Sequence, residues 1–190
     1  MNVDDIAGSL TAADATTVLI DGRSGSGKSM LADQLHRRWA ASAIVRLDDI
    51  YPGWDGLAWA SEHIRTDLLE PRRRGRPGRW RRWNWATATA DGWSTVDAGQ
   101  RVIVEGVGAL SRAHRALADL GIWVDAPDAV RKRRALERDG DTYRPHWDRW
   151  AAQEDVFIAR DAPRTAADYV AAEAADGLSW TFTKTDPAPA

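Results

Sequence analysis

Apolar and polar positions follow two different registers along this chain, and each change of register marks an element. Short unbroken apolar stretches, Thr17-Val18-Leu19-Ile20, Ala43-Ile44-Val45, Val102-Ile103-Val104 and Ile122-Trp123-Val124, have the length of strands covered on both faces. Between them apolar residues recur at helical spacing, as in Ile6 and Leu10, or Leu31, Leu35 and Trp39. The pattern predicts a short amphipathic helix within residues 1–15, a strand at 16–21, a helix to residue 41 and a strand at 43–47. Pro52-Gly53 then breaks the chain, and a helix over 57–69 stops near Pro71. A strand at 101–105, a helix at 110–117, a strand at 121–125 and helices at 128–138 and 147–160 follow, with Gly140 breaking the last two apart. Strands at 168–172 and 178–183 precede a tail over 185–190 that is expected to be disordered.

Strands alternating with helices imply a single α/β domain over residues 1–190, a three-layer αβα sandwich around a mainly parallel five-stranded sheet. Residues 71–100 interrupt this order with Gly75, Pro77, Gly78, Gly92 and Gly99 and an alternating segment, Trp80 to Trp85, that reads as an irregular strand. An insert of this kind, about 53–100 in all, commonly handles substrate. Ligands of a parallel sheet bind outside the carboxyl ends of its strands. Here the first strand runs into Gly22, Arg23, Ser24, Gly25, Ser26, Gly27, Lys28 and Ser29, the second reaches Asp48, and the third ends at Glu105.

The first of these stretches matches the P-loop pattern G-x-x-x-x-G-K-[ST], set between an apolar strand and a helix. Its glycines let successive amides point at phosphate oxygens, and the helix beginning there, with Met30, adds the positive end of its dipole. Lys28 would reach the outer phosphates, and Ser29 would ligate a magnesium ion. This predicts binding of a nucleoside triphosphate in a P-loop NTPase fold. Phosphoryl transfer also requires a proton acceptor and charge neutralisation. Asp48 is the candidate base, and Glu105, closing an apolar strand like a Walker B acid, is the candidate partner of the metal. Either acid could instead cap a helix or sit in a solvated loop.

Composition narrows the picture. There are no cysteines, so disulfide frameworks and thiolate chemistry are excluded. Asp4 and Asp5 come early and no apolar run is long, so a soluble cytoplasmic protein without membrane attachment is expected. The net charge of −2 argues against a general nucleic-acid binder. Seven arginines nevertheless fall between Arg72 and Arg82 without one acid, a run that reads as a mobile surface loop. A second basic cluster, Arg131, Lys132, Arg133, Arg134 and Arg138, lies on a predicted helix. Spacings of three and four bring Arg131, Arg134 and Arg138 to one face, where guanidinium groups suit phosphate oxygens.

Taken in order, the P-loop, Asp48-Asp49-Ile50-Tyr51, Val104-Glu105-Gly106, and the helix from Asp128 through Arg131, Arg134 and Arg138-Asp139 resemble the uridine kinase-like P-loop kinases, a group that includes phosphoribulokinase and bacterial pantothenate kinase. The resemblance spans residues 16–160. It implies ATP and Mg2+ as cofactors, Asp48 as base toward the acceptor hydroxyl, and Tyr51 beside the acceptor. It also implies a Glu105-Gly106 segment at the acceptor, and a helical lid over about 131–147 whose Arg131, Arg134 and Arg138 meet the phosphates, Arg134 in a catalytic role. Ile50 replaces the family's aromatic residue, and Asn84 replaces an acid of a substrate segment that aligns on Trp83-Asn84-Trp85. The implied activity is transfer of the ATP γ-phosphate to a hydroxyl of a small molecule, a nucleoside or related acceptor.

Eleven tryptophans against three tyrosines and two phenylalanines add one more feature. Trp54, Trp59, Trp80, Trp83 and Trp85 cluster after the second strand, where indole faces would suit an aromatic or cationic acceptor or simply pack the insert. Two alternatives stay open: a nucleoside monophosphate kinase whose insert arginines seat an acceptor phosphate, and an ATP-gated module that grips nucleic acid or protein. A homodimer is also open. Thr183-Lys184-Thr185-Asp186 mimics a guanine-reading element but lies at the far end of the chain without its companion motif. The four histidines show no metal-ligand spacing.

Overall fold

The computed structural model describes residues 1–185. Helix α1, Val3–Ala12, opens on a capping box in which the Asn2 side chain accepts from the Asp5 amide and the Asp5 carboxylate accepts from the Asn2 amide. It buries Ile6 and Leu10, as their spacing predicts. Strand β1, Thr17–Asp21, leads through the P-loop into α2, Lys28–Arg38. Strand β2, Ser42–Arg46, ends in a 3₁₀ turn, Leu47–Asp49.

Helix α3, Leu57–His63, continues through a π-helical turn, Ile64–Leu69, into α4, Glu70–Arg73. The chain passes Pro71 because the proline falls in the first turn of α4, where a missing N–H is tolerated. Strands β3, Gly78–Asn84, and β4, Thr89–Val96, then form a separate antiparallel hairpin. Its first strand was expected as an irregular one. The second shows no period-two apolar stripe and could not be read, and a bulge between Arg81 and Trp83 shifts the register. The arginine run is therefore not a mobile loop but the end of a helix and one arm of a hairpin. Arg72 turns inward, where its guanidinium donates to the carbonyls of Thr16 at 3.1 Å and Gln100 at 2.6 Å and also to that of Asp97. It staples the insert to the start of β1.

Strand β5, Arg101–Glu105, is followed by α5, Arg112–Arg115, a single turn capped by the Ser111 hydroxyl and shorter than the predicted helix. Strand β6, Leu120–Asp125, helix α6, Asp128–Tyr143, a 3₁₀ turn at Arg144–His146, helix α7, Trp147–Asp161, and α8, Pro163–Ala166, come next. The predicted break at Gly140 survives as a kink inside α6, where φ 51° and ψ −130° suit glycine. Strands β7, Tyr169–Glu173, and β8, Trp180–Lys184, close the chain. The expected tail lies outside the described residues apart from Thr185, whose amide donates to the Asp168 carbonyl.

The sheet runs β2-β5-β1-β6-β7-β8, parallel except for β8. It has six strands, one more than the five expected, because a turn held by the Asp176 carboxylate returns β8 alongside β7. Leu19, Val45, Val102, Val104 and Trp123 face α3, α6 and α7 on one side, where Leu57, Ala135, Trp150 and Phe157 meet them. Val18, Ile20, Ile103, Ile122 and Val124 face α1 and α2 on the other, against Ile6, Leu10, Leu31 and Leu35. Alternation along β1 thus feeds two cores and makes three layers. Being central, β1 delivers the P-loop to the middle of the sheet's carboxyl edge, between the ends of β5 and β6. No helix among the described residues is long and apolar enough to cross a membrane.

Candidate functional site

A cavity of about 550 Å³ opens at that edge. Ser24 and Lys28 line one end; Asp48, Asp49, Tyr51, Trp54, Trp85, Val107 and the Arg138 to Tyr143 stretch, together with Trp150, line the rest. Five segments far apart in sequence thus share one space.

The phosphate end is built from backbone. Gly25 has φ 78°, and a Cβ there would overlap the Arg131 carbonyl, so neither its conformation nor its packing admits a side chain. The Ser26 hydroxyl is buried with no hydrogen-bond partner among the described residues, which fits a loop shaped to receive phosphate oxygens. Met30 does not line the cavity; its half-buried side chain packs against the core beneath α2.

Three charged groups hold the loop. Glu154 of α7, 1% exposed, accepts from the Ser24 amide and from Arg23 Nε, both at 2.9 Å. Arg131 of α6, 5% exposed, donates to the Ser24 carbonyl at 3.1 Å and to Asp128 at 2.5 Å. One residue of the P-loop, Ser24, is therefore gripped through both its amide and its carbonyl. Asp21, fully buried at the end of β1, accepts from the amides of Gly22 at 2.6 Å, Gly108 at 3.1 Å and Leu110 at 2.8 Å. It ties the P-loop to the chain leaving β5. Burial raises its carboxyl to about 7 against the lowering effect of those amides and of Lys28.

These contacts revise the reading of the lid. Arg131, expected at the phosphates, is committed to Ser24 and Asp128. Arg134, expected in a catalytic role, pairs with Glu173 of β7 at 2.6 Å and lies near Gly27. Arg138 alone of the three lines the cavity, with its guanidinium paired to Asp139 at 2.6 Å. The helix face read from their spacing is real, but the P-loop and β7 take up two of the three.

At the other end, the 3₁₀ turn after β2 presents Asp48 and Asp49 to the cavity. Burial, and next the charge of Asp48, push the Asp49 carboxyl above its usual range. Glu105 is buried and does not line the cavity. Arg46 donates to it at 2.7 Å, burial raises its carboxyl, and Lys28 acts on it in the opposite sense. Its field thus reaches the P-loop lysine, while its side chain stays out of the cavity. Tyr51 shows its ring to the cavity, but its hydroxyl is buried and donates to the Val107 carbonyl at 2.7 Å. The phenol is a packing element and not a free polar group.

Of the two expected tryptophans, Trp85 lines the cavity and its indole N–H donates to the Asp48 carbonyl at 2.7 Å. Trp83 does not. The bulge in β3 sets it aside, half-buried, with its indole nitrogen unpartnered among the described residues. The wall is completed by Trp54, stacked on Tyr143 at 5.3 Å and on His146 at 4.4 Å, and by Trp150, nearly perpendicular to both Trp54 and Tyr51.

Asp21, Glu154, Thr142, Tyr143 and Trp150 are given no role by the sequence reading. Glu154 carried a signal: it stands four residues after Trp150 and three before Phe157, a lone acid on a buried helical stripe. Asp21 likewise closes a wholly apolar strand. Nothing local marks the others as neighbours of Asp48.

Comparison with known proteins follows this geometry. The AAA domain family model, AAA_18, matches residues 18–155. No curated protein matches the sequence. The structure of a possible uridine kinase from Bacillus stearothermophilus aligns at 21% identity with a TM-score of 0.63, covering 88% of this chain and 96% of that one. A proposed fructose transport system kinase from Silicibacter sp. TM1040 aligns at 20% identity with a TM-score of 0.52, covering 84% and 88%. With a P-loop at the centre of a parallel sheet, this chain belongs to the AAA domain family and has the three-layer fold of the uridine kinase-like P-loop kinases.

Proposed function

We propose that the protein is an ATP-dependent phosphotransferase that moves the γ-phosphoryl group to a hydroxyl of a small molecule. One observation carries this reading: Lys28 and Ser24 of the P-loop and the carboxylate of Asp48 face the same cavity. A phosphate cradle and a proton acceptor in one enclosed space are what hydroxyl phosphorylation needs. The names of the two structural neighbours agree with it.

In this reading the P-loop amides and Lys28 hold the β- and γ-phosphates. A magnesium ion would be held by Ser29 and, directly or through water, by Glu105, hard oxygen donors of the kind that ion takes, and would supply charge neutralisation. Asp48 receives the proton of the acceptor hydroxyl as its oxygen bonds to the γ-phosphorus. The bond from that phosphorus to the bridging oxygen breaks, and ADP leaves. Arg138 lies at the cavity within the field of Asp48 and is placed to meet charge that develops on the transferred group.

The test is ATP consumption with magnesium against a panel of hydroxyl acceptors, with Lys28→Ala as a blank. Stimulation by one acceptor is expected, lost in the blank and reduced about 10²- to 10⁴-fold in kcat by Asp48→Asn. Full activity in Asp48→Asn would remove Asp48 from the role of base.

A further inference from the structure

We propose that the acceptor is a small cationic alcohol, a hydroxyl compound carrying a protonated or quaternary amine, seated between the Asp48 and Asp49 carboxylates and the aromatic wall of Trp54, Trp85, Tyr143 and Trp150. This rests on the kinase reading of the same cavity and names its substrate class.

The hydrogen-bonding inventory of the cavity is lopsided. Several of its donors are already used by the protein: the Tyr51 hydroxyl on Val107, the Trp85 indole on the Asp48 carbonyl, and the Arg138 guanidinium through two nitrogens on Asp139. Lys28 belongs to the phosphate end. Among the described residues, by contrast, the carboxylates of Asp48 and Asp49 have neither an ion-pair nor a hydrogen-bond partner. The cations whose fields reach Asp49 are committed elsewhere, Arg46 to Glu105 and Asp33 and Arg82 to Asp91. A ligand that fills this end must bring donors.

Charge points the same way. Two adjacent carboxylates on one turn repel each other, and Arg138 with Asp139 cancels locally. An ammonium group would relieve that repulsion while the hydroxyl of the same molecule approaches Asp48. Aromatic faces complete the match. Trp150 meets Trp54 at 85° and Tyr51 at 72°, making a corner of rings beside the acids. Rings around a cation, with carboxylates on the open side, form a recurring recognition chemistry for amines.

The experiment compares amines with their neutral counterparts on the wild-type protein. Glucosamine, N-acetylglucosamine, ethanolamine, N-acetylethanolamine, choline, uridine and fructose are tested for ATP turnover with magnesium. In parallel, each is titrated against tryptophan fluorescence in the presence of Mg-ADP, which reads binding without transfer. At least one amine is expected to bind and to stimulate turnover, with N-acetylation lowering kcat/KM at least tenfold. Asp49→Asn is expected to raise KM for that amine at least tenfold, with Asp49→Glu recovering part of the loss. Turnover of uridine, fructose or the N-acetyl compounds equal to or above that of the amines would overturn the inference and leave the kinase reading standing. Saturable amine binding that Asp49→Asn weakens, with no acceptor raising ATP turnover, would keep the cation site and overturn the kinase reading. Absence of both binding and turnover for every amine would overturn the inference.

Discussion

The two ends of the cavity are made in opposite ways. The phosphate end is one contiguous loop whose ligating groups are backbone amides, and its shape is enforced by buried side chains behind it: Asp21, Arg131 and Glu154. The acceptor end has no contiguous motif. Its carboxylates come from the turn after β2, its indoles from the chain after that turn, from the hairpin and from α7, and its remaining wall from the second half of α6. An anion of fixed shape can be met by a fixed backbone, whereas an acceptor is distinguished by side chains that different segments must bring together. Changes behind the phosphate end should therefore act on stability and ATP affinity together, and changes at the acceptor end on acceptor affinity or turnover while sparing ATP affinity.

The sharpest break is Glu154→Ala. It leaves the Ser24 amide without its acceptor and Arg23 with only the exposed Asp155 at 2.7 Å, and about 3 kcal/mol of destabilisation is expected, as for other broken buried pairs. KM for ATP should rise with it, while Glu154→Gln, which keeps one acceptor oxygen, should lose less than half as much. Thermal melting and ATP saturation curves would read both. A melting temperature equal to wild type would show that the P-loop holds its shape unaided.

Asp21→Asn comes next, with a loss of about 1–3 kcal/mol from amides left poorly satisfied. Its pH dependence has a definite sign. The carboxyl moves from 3.8 in the unfolded chain to about 7 in the native protein, so the native state keeps a proton that the unfolded state releases. The stabilisation is fully present below about pH 4 and is lost as pH rises toward 7, by at most about 1.4 kcal/mol per pH unit. Urea denaturation of both proteins from acid to neutral pH should show the gap between them narrowing as pH rises. A gap independent of pH would mean that the Asp21 carboxyl titrates alike in the native and unfolded chains.

Trp54→Ala removes the ring on which Tyr143 and His146 stack. KM for the acceptor should rise about tenfold, roughly 1.4 kcal/mol, with KM for ATP within about twofold. Equal losses for both substrates would merge the two ends into one unit. The smallest effect belongs to Arg82→Ala, whose exposed pairing with Asp91 at 3.8 Å is expected to contribute within about 0.5 kcal/mol. A larger change in melting would give the hairpin arginines a structural part that their exposure does not suggest.

Legibility in the sequence followed the same divide. β1, the P-loop, α2 and the parallel strands were readable because their signals are local: unbroken apolar runs, helical spacing and a nine-residue motif ending at Ser29. Asp48 was readable because it closes a strand at the sheet's carboxyl edge. The hairpin partner Thr89–Val96 was not, since a ladder held by backbone bonds needs no apolar stripe. The arginines of α6 show the limit of spacing. Periodicity placed them on one face, yet whether that face meets a phosphate or the underside of the P-loop depends on how α6 lies on the rest of the chain.

By itself the sequence determined the layered α/β order, the P-loop at the end of the first strand, and the acid that follows the second, because each rests on interactions within a few residues along the chain. Only the tertiary structure decided that Arg72 and Arg131 are internal fastenings, that Tyr51 spends its hydroxyl on Val107, and that Trp54, Trp85, Tyr143 and Trp150 stand around two free carboxylates. The physical reason is that a polar side chain's role is set by the partner it meets, and those partners lie tens of residues away, where only the packing of the sheet and its helices brings them within hydrogen-bonding distance.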